Sequence, residues 1–539
     1  RTRDDLAVPN PMADTAAAPL LTSHKARPSI DETMEAYMGA TGAGQLLKAV
    51  LLAFAWALDA QQVFISVFTD AEPPWHCTDA DADASSCSAA AASPCALPPG
   101  AWAWDRPAVT SVVSEWSLEC AGPALVSLPA SSFFAGCLAG GFLLTTLADS
   151  LLGRRKMLLA SIVSMSAAGV VTAFSPNVWA YAALRFVSGF GRSMVGTCTL
   201  VLSTELVGRR WRDTVCVAGF FCFTLGFLSL PALAYTFREA SWRNMYLWTS
   251  VPSLCYSILF YFVVQESPRW LLVRGRRQDA IDTLQQMQIG GITSSNFSMI
   301  HACAMNDDDD DAEAGASSVF ATLHSMWERP WALRRLAAIM TASFGVGMVY
   351  YGMPLNVGNL GSNLYLSVTY NALAELPSSI LSWLLMGRIN RRSSVVALTA
   401  AAGLWSLACV IIPQGTARMA AELVSFFATC TAFNVILMYS IELFPTSVRN
   451  SAVGLVRQAL VLGGVAAPLL VALGRRNSFF SFGVLGLVIG CSGMFAACLP
   501  ETKGKAMSDT MDEEDHKEHT CTVHDHVDTS TDLHIVQFP

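Results

Sequence analysis

Several ionisable side chains of this 539-residue chain stand inside long apolar runs. A charge there costs at least ~2.5 kcal/mol on insertion scales, so each is a functional candidate by default. Glu375 lies near the middle of one such run. Its carboxylate offers three chemistries: offsetting a quaternary ammonium, which has no donors to share, carrying a coupling proton, or closing a structural ion pair. Arg457, in another run, offers its guanidinium to a carboxylate, or to an internal pair with Glu422 or Asp59. One acid and one base on helices of the second half suit a zwitterion. Asp59, Arg185 and Arg192 are further charges at membrane depth. Aromatic faces also hold cations, through the ring quadrupole, and Tyr350 and Tyr351 place two rings side by side.

The elements that must position these groups are apolar helices. Apolar residues make up 53% of the chain and charged residues 14%, against roughly 25% charged in an average soluble domain. Twelve apolar runs, each near the ~20 residues a bilayer requires, predict an all-α membrane protein of twelve transmembrane helices. The fourth run covers 178–204 and the eighth 364–386. Net charge is -8, with much of the acid in Asp307–Asp311 and the C-terminal tail, so no basic surface for nucleic acid emerges. No metal-ligand or cofactor motif is found, and neither a metal nor a cofactor is expected.

Basic loops set the orientation. Arg154, Arg155 and Lys156 follow the second run, Arg209, Arg210 and Arg212 the fourth, and Arg388, Arg391 and Arg392 the eighth, all on one side. Arg475 and Arg476 dissent, but the majority puts both termini in the cytoplasm. The expected organisation is a cytoplasmic tail 1–45, a six-helix half 46–264, a cytoplasmic linker 265–335, a second six-helix half 336–499 and a cytoplasmic tail 500–539. No signal-peptide pattern precedes the first run, which is expected to direct insertion itself. The 69–122 loop then faces outside, and Cys77, Cys87, Cys95 and Cys120 in it permit two disulfides in three connectivities.

The halves repeat one another. Glu205 and Arg212 close the fourth run with the same Glu-x6-Arg spacing as Glu442 and Arg449 at the end of the tenth, 237 positions later. Arg154-Arg155 and Arg391-Arg392 show that same offset, and Glu266 and Glu501 stand at corresponding places after the sixth and twelfth runs. Duplicated halves of this kind place a substrate between them at the bilayer midplane. The loop charges Asp149, Arg154, Arg155, Glu205, Arg212, Glu266, Arg269, Arg391, Arg392, Glu442, Arg449 and Glu501 form a candidate cytoplasmic gate, its ion pairs made and broken as the halves rock.

Asp149-x3-Gly153-Arg154-Arg155, Arg185-x3-Gly189, Glu266-Ser-Pro-Arg-Trp270 and Pro500-Glu-Thr-Lys-Gly504 resemble the major facilitator superfamily over residues 45–505. Five further stretches are similar to the organic cation/carnitine transporters: Phe68 to Cys77, Glu205 to Arg210, Asn363-Leu-Tyr-Leu, Asn371 to Pro377, and Phe444 to Asn450. Leu147 to Arg155 and Ala180 to Gly196 resemble the plant branch most. There are departures. Asp149 stands four residues before Gly153 where the superfamily has three, Gly387 replaces the matching acid of the second half, and Val461 takes the place of an aspartate found in cation-selective relatives.

The resemblance implies the major facilitator fold and a secondary transporter, not an enzyme, that moves small organic cations or zwitterions such as carnitine by alternating access. It implies substrate roles for Glu375, Tyr350 and Asn434, and Arg457 joins them as the carboxylate's partner. Asn434 has interhelical bonding as its competing role. Asp59 and Arg185 become the proton-coupling candidates, with a proton or a sodium ion as the partner in transport. A sugar or organic-anion porter is the alternative within the superfamily, although span seven lacks the Gln-Gln pair of sugar porters. A non-transporting receptor, with the linker as its signalling element, is the alternative of another class. The plasma membrane is the expected location and the vacuolar membrane the alternative.

Overall fold

A computed structural model describes residues 43–78, 94–97, 101–147, 153–274, 276–287, 324, 326–445, 448–475, 477, 479–503 and 511–515. Asp149, Cys87, Arg476 and the Asp307–Asp311 run lie outside these. The N-terminal half contains α1 (Ala43–Phe64), α2 (Pro123–Leu147), α3 (Arg154–Thr172), α4 (Val178–Arg192), α5 (Val195–Glu205), α6 (Arg212–Thr236) and α7 (Trp242–Val263). The C-terminal half contains α8 (Pro330–Asn356), α9 (Leu364–Arg388), α10 (Arg391–Ile411), α11 (Thr416–Leu443), α12 (Arg449–Gly474) and α13 (Val484–Met494). Among the described residues, ten helices are long and apolar enough to cross a membrane. The expectation of twelve rests on two further segments, the α4–α5 pair and α9, which carries Glu375.

The fourth run is not one helix. It breaks at Ser193, whose Oγ donates back to the Phe190 carbonyl at 2.9 Å, just after Gly189 and Gly191 have lowered the local helix propensity. Other helix starts follow from capping chemistry. Asn177 accepts from the Ala180 amide at 2.9 Å, Asn363 accepts from those of Tyr365 and Leu366, and Pro330 opens α8 where its missing N–H costs nothing.

Small residues bring the helices together. A side chain at Gly136 would collide with the Phe186 carbonyl, and one at Gly189 with that of Phe133, so α2 and α4 lie backbone to backbone. Gly226 meets the Ala57 carbonyl, and Gly463 meets the backbone of Phe344 and Met348. These two glycines, and Pro231 and Pro468 on the same helices, each stand 237 positions apart, so the duplication extends into the packing. Large apolar side chains such as Phe262, Trp383 and Ile411 point outward, as a lipid-facing surface requires. The halves meet where α2 packs along α12 and α6 along α9.

The 69–122 loop holds a two-stranded antiparallel sheet, β1 (Trp75–Cys77) with β2 (Trp102–Trp104), registered Trp75 to Trp104 and Cys77 to Trp102. Cys95 and Cys120 form a disulfide, and Cys77 is disulfide-bonded as well. Cys120→Ser is expected to cost about 2–4 kcal/mol. A lowered thermal midpoint of the purified protein checks this, and an unchanged midpoint contradicts it.

Candidate functional site

Glu375 stands on α9 where that helix faces α8 and α6. Tyr350 of α8 donates its hydroxyl to Glu375 Oε1 at 2.6 Å, and the hydroxyl of Thr224 on α6 also stands against this buried carboxylate. Around this bond the rings close in. Tyr350 stacks on Phe433 with centroids 4.5 Å apart and on Phe426 at 6.1 Å, meets Tyr351 edge-on at 5.1 Å, and meets Phe64 of the other half at 6.4 Å. Phe64 stacks on Phe227 at 4.0 Å, and Tyr351 lies 4.7 Å from Phe134. Two halves thus share one aromatic cluster around a carboxylate. Such a set offers charge and ring faces together, which suits a cation that cannot hydrogen-bond.

Arg457 lies on α12 and donates to Thr197 Oγ1 of α5 at 3.0 Å, across the interface. It also stands within electrostatic reach of Tyr351, Arg192 and Asp59. Neither internal carboxylate expected for it is its partner. Asp59 is held by Arg192 at 2.8 and 3.0 Å, and Glu422 accepts from Asn371 Nδ2 at 3.0 Å. The adjacent Tyr350 and Tyr351 therefore separate an acid on one side from a base on the other. Asn434 donates to Ser379 Oγ at 3.5 Å, and Ser379 in turn donates to the Glu375 carbonyl, so Asn434 ties α11 to the helix that carries the acid.

The two proton-coupling candidates, Asp59 and Arg185, are bonded to other groups rather than to each other. Arg185 is 1% exposed and donates to the Gln62 carbonyl and to Ser66 Oγ, with its guanidinium 4.1 Å from the Phe133 centroid. The antiparallel course of α1 and α4 explains the exchange: Gln62 and Ser66 sit one and two turns beyond Asp59 and meet Arg185, while Arg192, two turns further along α4, reaches back to Asp59.

Residues 107–468 match the Major Facilitator Superfamily. Organic cation/carnitine transporter 2 of Arabidopsis thaliana is 49% identical over 519 residues, covering 94% of this chain and 98% of that protein. Organic cation/carnitine transporter 3 of the same plant is 50% identical, covering 91% and 94%. The chain belongs to the organic cation/carnitine transporters of the Major Facilitator Superfamily. Solute carrier family 22 member 3 of Mus musculus is more distant, 32% identical over 75% of this chain and 72% of its own length. Among solved structures, the inward-open xylose transporter XylE from E. coli shares the fold, with a TM-score of 0.60 at 18% identity over 85% of this chain and 97% of that one.

In this superfamily member the acids at the basic ends of the spans cap helices. The backbone N–H of Arg155 donates to both oxygens of Glu266 at 3.0 and 3.2 Å, and those of Arg391 and Arg392 donate to the two oxygens of Glu501 at 2.8 and 3.2 Å. A carboxylate at a helix N-terminus satisfies orphan donors and complements the dipole, and the repeat builds it twice, at α3 and α10. Gly153 leads into α3 at φ +78°, where a side chain would be strained and would meet Glu266 Oε2. Glu442 binds Arg391 at 3.0 Å and accepts from Thr502 Oγ1 at 2.6 Å, and Arg449 Nε donates to the Phe444 carbonyl. The corresponding Glu205 Oε2 and Arg212 Nε are buried without a hydrogen bond. Arg154 stands at the first position of α3, and Arg269 in the helix Pro268–Val273. The pairs described here join parts of one half rather than the two halves.

The end of the interface nearest the 69–122 loop is bridged by residues whose partnerships no motif announced. Phe68 stacks on Tyr365 at 5.9 Å, Arg106 Nη1 donates to the Tyr365 hydroxyl at 2.9 Å, and Arg475 reaches Glu72 Oε2 at 3.4 Å and the Asp70 carbonyl at 3.2 Å. Burial pushes the Glu72 carboxyl above the usual carboxylate range, while Arg475 pulls it back and Glu119 adds to the rise. Burial raises Asp70 as well. A raised acid holds its proton more tightly in the closed seam than in water. Its contribution to closure is full below the ordinary carboxylate range and is lost as pH rises through the raised value. Acidifying the outside from about pH 7 towards 5 is therefore expected to tighten the seam. A cysteine at Ser131, which bonds across to Val465, should label more slowly with an impermeant thiol reagent in acid, normalised to an exposed cysteine, and Glu72→Gln should weaken that trend. Labelling that quickens in acid contradicts this.

Proposed function

We propose that this transporter carries small organic cations and carnitine-like zwitterions across the plasma membrane by alternating access, driven by the proton gradient. The carrying observation is the Tyr350–Glu375 bond inside an aromatic cluster shared by both halves. Glu375 and the ring faces of Tyr350 and Tyr351 take the ammonium, and Arg457, with no carboxylate of its own, takes the substrate carboxylate. Asn434 positions the acid-bearing helix. Asp59 and Arg185, each already bonded within the N-terminal half, brace α1 against α4. The paired termini of α3 and α10 keep each half rigid while the two rock about the site.

The names of the Arabidopsis relatives support the substrate class. The test is uptake of labelled tetraethylammonium and labelled carnitine by cells with the protein at their surface, with unlabelled glucose as competitor. Saturable uptake of both that glucose does not inhibit is expected. Transport of neither, or competition by glucose, overturns the reading.

A further inference from the structure

Glu422 is a buried carboxylate that the transport reading leaves without a role. It sits on α11, 1% exposed, inside the C-terminal half between α9 and α10. Its Oε1 accepts from Asn371 Nδ2 at 3.0 Å, and among the described residues no cation is bonded to it. Asn371 is fully buried, and the Oδ1 of the same amide has no hydrogen-bond partner. Native structures leave few buried acceptors orphaned, and each one calls for an explanation. Asn371 lies one helical turn before Glu375 on α9 and bonds Glu422 of α11, so a single amide adjoins both carboxylates.

The charged and titratable groups around Glu422 are few. From α9 come Asn371 and, a turn further, Glu375, and from α10 comes Cys409, whose thiol donates to the Arg418 carbonyl at 3.7 Å. On α11 itself Arg418 stands one turn before Glu422 and Cys430 two turns after it. The Arg418 guanidinium lies over the Phe482 ring at 5.3 Å instead of pairing with the acid. From α8, Tyr350 is engaged with Glu375. An organic cation needs an open cavity lined by the site, and Glu422 is walled inside one half. A proton needs only the hydrogen bond. Protonated, Glu422 turns from acceptor to donor, and the amide, turned over, offers Oδ1 to the new hydroxyl. The pair therefore has a bonded arrangement in both charge states.

Depth gives the site a direction. At 1.5 Å per residue, Glu422 lies about 9 Å below the outer end of α11, and Glu375 about 16 Å below that of α9. Glu422 is thus the nearer of the two carboxylates to that end of the spans.

We propose that Glu422 is the proton-binding site that couples this transporter to the proton gradient, with Asn371 as the positioning residue that conveys its charge state to Glu375. One proton from the outer water forms the O–H bond on Glu422, and that bond breaks again when the proton leaves on the cytoplasmic side. The inference rests on the transport reading and places coupling in the C-terminal half.

The test uses the full-length protein in proteoliposomes. Wild type is expected to accumulate tetraethylammonium under an inward proton gradient and to exchange it in counterflow without one. Glu422→Gln should lose at least 10-fold of the gradient-driven accumulation and keep counterflow within about 3-fold, since Glu422 does not line the aromatic cluster, and Glu422→Asp should restore part of the accumulation. Counterflow also reports that the variant is folded. Undiminished accumulation by Glu422→Gln, or accumulation driven by a sodium gradient alone, overturns the proposal. Absence of counterflow in wild type sinks the transport reading instead. A second measurement is independent of transport: dicyclohexylcarbodiimide, which attacks protonated buried carboxyls, should modify wild-type Glu422 at pH 5.5 several-fold more than at pH 8, as mapped by peptide mass spectrometry. Equal labelling at the two values, or none, also overturns it.

Discussion

Glu375→Gln is expected to lower tetraethylammonium uptake about 100-fold or more, because leaving one charge of a buried pair uncompensated costs about 3–5 kcal/mol and each 1.4 kcal/mol is tenfold. The glutamine keeps the size of the side chain and can still accept from the Tyr350 hydroxyl, so the packing of α8 on α9 should survive. Surface expression equal to wild type is the control. Tyr350→Phe separates the two contributions at the site. It removes the 2.6 Å bond but retains the ring stacked on Phe433, so it should cost far less than the loss of the charge. Uptake by Glu375→Gln within 3-fold of wild type would remove the carboxylate from the site.

Arg457→Ala is expected to split the substrates. A carboxylate buried against a guanidinium loses roughly 2–5 kcal/mol when one partner is truncated, so carnitine uptake should fall by 10-fold or more. Tetraethylammonium has no carboxylate and should be carried as well as before. The informative measurement is the ratio of the two uptakes in one preparation, which cancels differences in expression. A parallel fall in both would assign Arg457 to holding α12 against α5 through Thr197 rather than to the substrate.

Glu375, Tyr350 and Arg457 were legible in the sequence because charges and paired tyrosines inside apolar runs need no geometry to stand out. The basic loops and the 237-residue repeat likewise disclosed two matched halves, since bilayer thickness and charge bias act on local sequence. Partnerships were not legible. Sequence distance does not choose between the two arginines of span four, and only the antiparallel course of α1 and α4 selects Arg192 over Arg185 for Asp59. Phe426 and Phe433 read as ordinary apolar residues until stacking on Tyr350 made them walls of the site. The same holds for the seam beside the 69–122 loop: Glu72 and Tyr365 lie in stretches that resemble the family, but nothing local pairs Glu72 with Arg475, 403 positions away, or Tyr365 with Arg106. The sequence by itself determined the membrane class, the repeat, the family and the charges that had to have a use. The tertiary structure decided which charges neutralise one another, because pairing depends on distances between helices that no local pattern encodes.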